Sequence, residues 1–172
     1  MGSQSDARED WADRHVERWR DHWIDIDFDD DVEAITVRLL RVRKHLQRAK
    51  QQAVTEVGLQ DFEYDTLHAL MIRDTPGKAG PSELAEDLDI SNAGMTGRLD
   101  ILERSGWVQR RTDPADRRRV HVEATAAGRD IWRRAMRLRG RAEDELFGVL
   151  TPDQRHTLAA LLKELTLRIE EG

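Results

Sequence analysis

Five arginines crowd one short stretch of the chain, "QRRTDPADRRRVHV": Arg110, Arg111, Arg117, Arg118 and Arg119. Guanidinium groups gathered around a tight turn suit one task above others, pairing with several anionic groups at once. The phosphates of a nucleic-acid backbone are the densest such array. Yet the chain as a whole is acidic, with 28 Lys and Arg against 34 Asp and Glu and a formal net charge of −6. The sum conceals an uneven distribution. "DIDFDDDVE" at 25–33 is strongly acidic, whereas the 110–119 arginines and "RRAMRLRGR" at 133–141 are basic. A plainer alternative is open at this point: Asp113 and Asp116 lie on the same turn, and a solvated hairpin could pair the arginines with them.

Other chemistry finds little support in the residues. There is no Cys, which removes disulfides, thiolate ligands and Cys nucleophiles together. Six His occupy positions 15, 22, 45, 68, 121 and 156 without a pair at i, i+4, so no metal site is expected. His121 is expected on the surface. No glycine-rich phosphate loop and no nucleophile elbow occurs, so neither a catalytic role nor a cofactor is expected. No run approaches the roughly 18 apolar residues of a membrane span, and no apolar signal segment follows the N-terminus. The expectation is a cytoplasmic, membrane-free protein.

The elements that must position the arginines read as mainly α. The 172 residues suffice for one domain with a real core. Residues 7 to 23 read as a helix in which Trp11, His15, Trp19 and Trp23 stack along one face. A second helix runs from about Val32 to Val57 and a third from about Asp61 to Arg73, with "TPGKAG" as a breaker. Gly80 and Pro81 open a short helix with Leu84, Ala85 and Leu88 on its apolar face. Ser91 caps the next helix, which buries Met95, Leu99 and Leu102 and turns Asn92, Ala93, Thr96, Gly97 and Asp100 outward. Short helix, tight turn, longer helix with a small polar outer face is a helix-turn-helix pattern. "WVQRR" and "RVHVEA" alternate across "DPAD" as a β-hairpin, which makes the unit a winged helix. Thr125 and Thr151 cap two last helices, from about Ala126 to Val149 and over 151–171. A thin arginine-tipped ribbon beside a reading helix favours DNA over the solvated hairpin.

At this point the residues resemble a known family. "ELAE", the Ser91 to Thr96 start of the reading helix, "LERSGWVQR" and above all "DPADRRRVHVEATAAG" are similar to the MarR family of dimeric winged-helix regulators. The resemblance implies a N-terminal extension over 1–31 and a MarR-like domain over 32–172. Within that domain it implies a winged helix at about 59–124 and dimerisation helices at about 32–57 and 126–171. It also implies a repressor that reads a pseudo-palindromic site in double-stranded DNA as a homodimer. The reading residues would be Ser91, Asn92, Ala93, Thr96 and Gly97, with Arg117 and Arg118 placing the wing. A helical module that binds protein and not DNA is the alternative.

"RWRDHWIDID" resembles the added first helix of a urate-responsive, PecS-like subgroup of that family. The subgroup's effector pocket uses a Trp of that helix, an Asp of the helix before the reading domain, and an Arg of the reading helix. The matching positions are Trp19, Asp65 and Arg98. Trp23 and "DFDDD" depart from the subgroup pattern, and some relatives look as if they respond to other anions. The implied effector is therefore a small anion, urate or a tricarboxylate. The residues give a reason of their own. Asp65 lies in the helical row Phe62, Asp65, Ala69, Ile72, and Arg98 lies on the core flank of its helix, so each needs a partner. The expectation is an Asp65–Arg98 pair, either a structural ion pair or a switch in which the effector takes Arg98.

Overall fold

The computed structural model describes residues 8–20, 22, 29–112 and 120–172. The chain divides into two compact units, Met1–Arg48 and Ala49–Gly172. The first holds α1 (Trp11–Arg20) and the greater part of α2 (Asp30–Glu56). Asp10 caps α1: its carboxylate accepts the Ala12 and Asp13 backbone N–H at 2.7 and 3.0 Å. Charge ties α1 to α2. Arg38 donates to Asp10 at 3.0 Å and to Asp13 at 2.6 Å, His15 meets Glu33 at 3.0 Å, and Arg20 pairs with Asp30. The rings of Trp11, His15 and Trp19 do follow one another, with centroids 5.1 and 6.1 Å apart. They are not the buried face, however. Ala12 and Val16 are buried, whereas Trp11 and Trp19 remain 44% and 42% exposed. Trp23 lies outside the described residues.

The second unit begins within α2 and contains α3 (Asp61–Met71), β1 (Lys78–Ala79), α4 (Pro81–Asp87), α5 (Asn92–Arg104), β2 (Val108–Thr112), β3 (Val120–Ala124), α6 (Ala126–Phe147) and α7 (Pro152–Glu170). The strands form an antiparallel sheet in the order β1-β3-β2. β2 and β3 are the hairpin read from the alternation. β1 was not legible: it sits inside the "TPGKAG" breaker. A two-residue strand has no period of its own. Pairing with β3 makes it, Lys78 opposite Glu123 and Ala79 opposite Val122. Gly77, at φ +85, turns the chain into it.

One apolar core joins these elements. Tyr64, Leu67 and Leu70 of α3, Leu84 of α4, Met95, Leu99 and Leu102 of α5, and Val108 and Val122 of the sheet are almost fully buried. Each such side chain contributes about 1.5–3 kcal/mol. The caps are those the sequence predicts. Ser91, Thr125 and Thr151 hydroxyls accept the N–H of Gly94, Gly128 and Gln154 at 3.1, 3.0 and 3.2 Å. The start of α6 also meets the loop before β2 at close range. Thr125 N donates to the Trp107 carbonyl at 3.0 Å, and a Cβ on Gly128 would stand 1.9 Å from that oxygen. Only glycine fits there. α7 differs from every other helix of this unit. Along its 19 residues no side chain is buried, and Leu161, Leu165 and Ile169 are open.

Candidate nucleic-acid interface

The reading helix is placed by what it buries. Met95, Leu99 and Leu102 have no exposure at all, which fixes the rotation of α5 and turns Asn92, Ala93, Thr96 and Gly97 outward. The turn before it is tight, with Asp89 at φ 49, a conformation that Asp tolerates better than most residues. The Ser91 hydroxyl accepts from Gly94 N, so its lone pair serves the cap, while its proton stays available. The Thr96 hydroxyl donates to Asn92 O at 2.9 Å. Thr96 therefore offers a methyl group and acceptor lone pairs to an incoming molecule. At Gly97 a Cβ would touch nothing within 4 Å. Packing does not require a glycine there, and mid-helix glycine costs about 0.5–1 kcal/mol relative to Ala. A bare backbone on the outer face leaves room for something outside the chain to come close.

Arg110 has a role that sequence reasoning missed. It was grouped with the phosphate-binding arginines, but its guanidinium faces inward onto α5. It donates to Asp100 and Glu103 at 2.7 Å each and to the Thr96 carbonyl at 3.3 Å. Its backbone N–H also reaches Glu103 at 2.9 Å, and this bond, with the guanidinium, holds the Glu103 carboxyl below its ordinary pKa. The base of the wing is thereby fastened to the reading helix. The same contacts neutralise two carboxylates that would otherwise repel phosphates. A signal existed in the i, i+3 spacing of Asp100 and Glu103, though not their partner. Arg111 is exposed and donates to Gln109 at 3.0 Å. Arg117 and Arg118, with the "DPAD" turn, lie outside the described residues. His121 was expected at the surface, but its side chain is 14% exposed and meets Glu123 at 3.1 Å.

The three effector residues are not gathered into the pair that was expected. Asp65 is half-buried on α3, and its carboxylate accepts from Lys50 at 2.6 Å, not from Arg98. Lys50 comes from the last turns of α2 and also lies over the Tyr64 ring, 5.3 Å from its centroid. The nearer cation takes the carboxylate. Arg98 is half-buried with its guanidinium 5.9 Å from the Phe62 centroid, and it has no carboxylate partner among the described residues. Trp19 belongs to the first unit. A concavity of about 470 Å³ opens beside Asp65, where His68, Arg73, Asp74 and Asp87 also line it. Arg73 is engaged by Asp87 and, at 3.2 Å, by Glu83. The Trp132 indole N–H donates to His68 Nδ1 at 3.2 Å. Burial, then the Arg139 charge, push the His68 pKa below its ordinary value. This concavity therefore presents carboxylates and a neutral imidazole. Lys50, Arg73 and His68 escaped the sequence reading because their partners are 14 to 64 residues away in the chain.

The chain can now be set against known proteins. Residues 64–120 match the sequence model of the MarR family. The chain is 31% identical over 149 residues to the HTH-type transcriptional regulator PecS of Dickeya dadantii (strain 3937), covering 86% of this chain and 87% of that protein. It is 37% identical over 86 residues to the multiple antibiotic resistance protein MarR of Escherichia coli (strain K12), covering 49% of this chain and 60% of that one. Among solved structures, a mutant E. coli MarR complexed with operator DNA matches with a TM-score of 0.59 at 26% identity, over 81% of this chain and 99% of that chain. The YusO protein from Bacillus subtilis matches with a TM-score of 0.69 over 83% and 99%, a likeness of fold at 18% identity. A winged helix with these relatives, one of them matched along most of both chains, places the sequence: it belongs to the MarR family.

Proposed function

We propose that this protein is a ligand-responsive transcriptional repressor that binds a pseudo-palindromic duplex DNA site as a homodimer. The observation that carries the reading is the outer face of α5. Asn92, Ala93, Thr96 and Gly97 stand exposed on a helix whose opposite face is fully buried. Asn can bond an adenine edge, Ala and the Thr methyl suit a thymine methyl, and Gly97 admits the backbone close to the groove. Arg117 and Arg118 would place the wing on phosphates or in the minor groove. A matched relative was solved with operator DNA, which agrees with this use of the fold. No helix among the described residues is long and apolar enough to cross a membrane, in keeping with action in the cytoplasm.

The second copy has a seat. A helix of 19 residues that buries nothing gains little stability alone, so the open leucines of α7 call for a partner helix. Replacing Leu161 and Leu165 with Asp should produce monomers or insoluble protein in sedimentation. A soluble dimer of the double variant would move the interface elsewhere. The effector is a small anion, urate or a tricarboxylate, acting through Arg98. Arg98 belongs to the reading helix and holds no carboxylate among the described residues, so an anion that binds it can bias that helix. The shift is limited to the differential affinity of the effector for the two states.

The deciding experiment is fluorescence anisotropy with the DNA upstream of the protein's own gene, across a salt series. Tight binding, a steep negative slope of log K against log salt, and release by urate or citrate are the expected results. The slope should fall by about one per lost phosphate contact in Arg117→Ala with Arg118→Ala. Absence of any duplex affinity at low salt would select the protein-binding module instead.

A further inference from the structure

α6 carries five arginines between positions 133 and 141. Two are paired along their own helix, Arg133 with Asp130 at 2.8 Å and Arg139 with Glu143 at 2.6 Å. The other three, Arg134, Arg137 and Arg141, have no carboxylate partner among the described residues. They are spaced i, i+3 and i+7, which puts them on one face over about 10 Å of helix axis. All three are exposed in the single chain. With Leu138 and Glu56, the last residue of α2, they line a concavity of about 160 Å³. Glu56 makes no ion pair with any of them among the described residues. The contrast with the concavity beside Asp65 is one of sign. There carboxylates prevail and the arginine is engaged. Here three guanidinium groups face one acid, and none pairs with a carboxylate among the described residues.

Three like charges around one hollow repel each other, and each forked guanidinium can donate two parallel bonds to carboxylate or phosphate oxygens. An anion that bridges them removes the repulsion and gains charge-assisted hydrogen bonds together. A monovalent halide can do neither over this length. We propose that this face of α6 is a binding site for a small anion bearing at least two acidic groups, either a polyphosphate or a polycarboxylate. One acidic group sits between Arg134 and Arg137, the second reaches Arg141, and Leu138 supplies an apolar floor. Glu56 opposes the ligand and limits its affinity. The site is separate from Arg98, so it stands whether or not the effector reading of Arg98 does.

The test is isothermal titration calorimetry on the full chain with inorganic pyrophosphate and, separately, citrate, at ionic strength fixed with sodium chloride. Saturable binding of one or both is expected, and the preferred probe tells a phosphate from a carboxylate source. Replacing Arg134, Arg137 and Arg141 together with Ala should weaken binding by at least about tenfold for each lost charge-assisted bond. Glu56→Gln should tighten it, and Arg133→Ala, a change at the arginine already held by Asp130, should leave it unchanged. Arg137→Gln alone gives the same direction should the triple variant fail to fold. No heat with either anion, or equal affinity in the arginine variants, overturns the site. Loss of binding in Arg98→Ala alone moves the anion to the reading helix and also overturns it. So does a triple variant that lowers the salt slope of DNA binding while the wild type takes up neither probe, because the surface is then a DNA contact. The DNA assay of the wild type is read separately, so its failure is not confused with failure here.

Discussion

α5 and α1 are both short helices with polar outer faces, but they are held in different ways. α5 drives Met95, Leu99 and Leu102 into the core with no residual exposure. α1 buries only Ala12 and Val16 and otherwise relies on ion pairs through Asp10, Asp13, His15 and Arg20. Three fully buried side chains contribute several kcal/mol. Exposed ion pairs contribute about 0–1 kcal/mol each and weaken with salt. The reading helix is thus held by core burial, and much of what holds the helix bearing Trp19 is surface charge. Elements that move on regulation come from the low-stability end of a structure.

The largest way to break the contrast is Leu99→Ala. It removes a core side chain and leaves a cavity, so the second unit should lose about 2–5 kcal/mol in urea unfolding. DNA binding should fall with it. A variant with an unchanged unfolding midpoint would show that α5 is held by something other than its buried face.

Most of this contrast was legible from the sequence on one side only. Met95, Leu99 and Leu102 recur at helical spacing, and Ser91, Thr125 and Thr151 are the residue types that caps require, so the core face and the helix starts follow from local rules. In α1 the four-residue spacing gives the ring stack of Trp11, His15 and Trp19, but not which face is buried. The small residues beside the rings, Ala12 and Val16, are what is buried. Large amphipathic rings can flank a contact and stay wet. Of the candidate site, the exposed positions of α5 could be read, because exposure is the complement of the core stripe. The ion pairs could not. Lys50 with Asp65, Arg73 with Asp87, and Arg110 with Asp100 join residues brought together only by the fold. A carboxylate takes whichever cation the packing brings nearest, and periodicity says nothing of that.

A middle-sized test concerns Arg110, which ties the wing to the firm helix. Arg110→Ala removes its bonds to Asp100, Glu103 and Thr96 but opens no core cavity. The thermal midpoint should move by only a few degrees, in line with a loss of about 1 kcal/mol. Operator affinity should fall several-fold more than affinity for random duplex, because the helix and wing no longer hold one relative angle. Glu103→Gln should give part of the same loss. Equal weakening on both DNAs would make Arg110 a general phosphate contact.

The smallest effects belong to α1, and pH separates them from those of the second unit. Asp10 is lowered from 3.8 to about 2, first by its bond from Arg38. Its folded pKa lies below the unfolded one. The stabilisation is therefore complete above about pH 4 and is lost as pH falls through 2. His68 is also depressed, chiefly by burial, from an unfolded value of 6.5. Its neutral form suits the fold, so its contribution is present above 6.5 and declines as the medium becomes more acid. Acidification from pH 7 to 5 should then weaken the second unit slightly while the Asp10–Arg38 contact persists. Difference fluorescence between wild type and Trp11→Phe, against that between wild type and Trp132→Phe, reads the two regions separately. The Trp132 signal should change first, below pH 6.5, and the Trp11 signal only below about 4. In Arg38→Ala the Trp11 transition should move up in pH, because Asp10 loses the bond that depresses it, and 1 M salt should shift it the same way. If the Trp11 signal titrates together with Trp132 and ignores both Arg38 and salt, α1 is held as firmly as α5 and the contrast between the two helices fails.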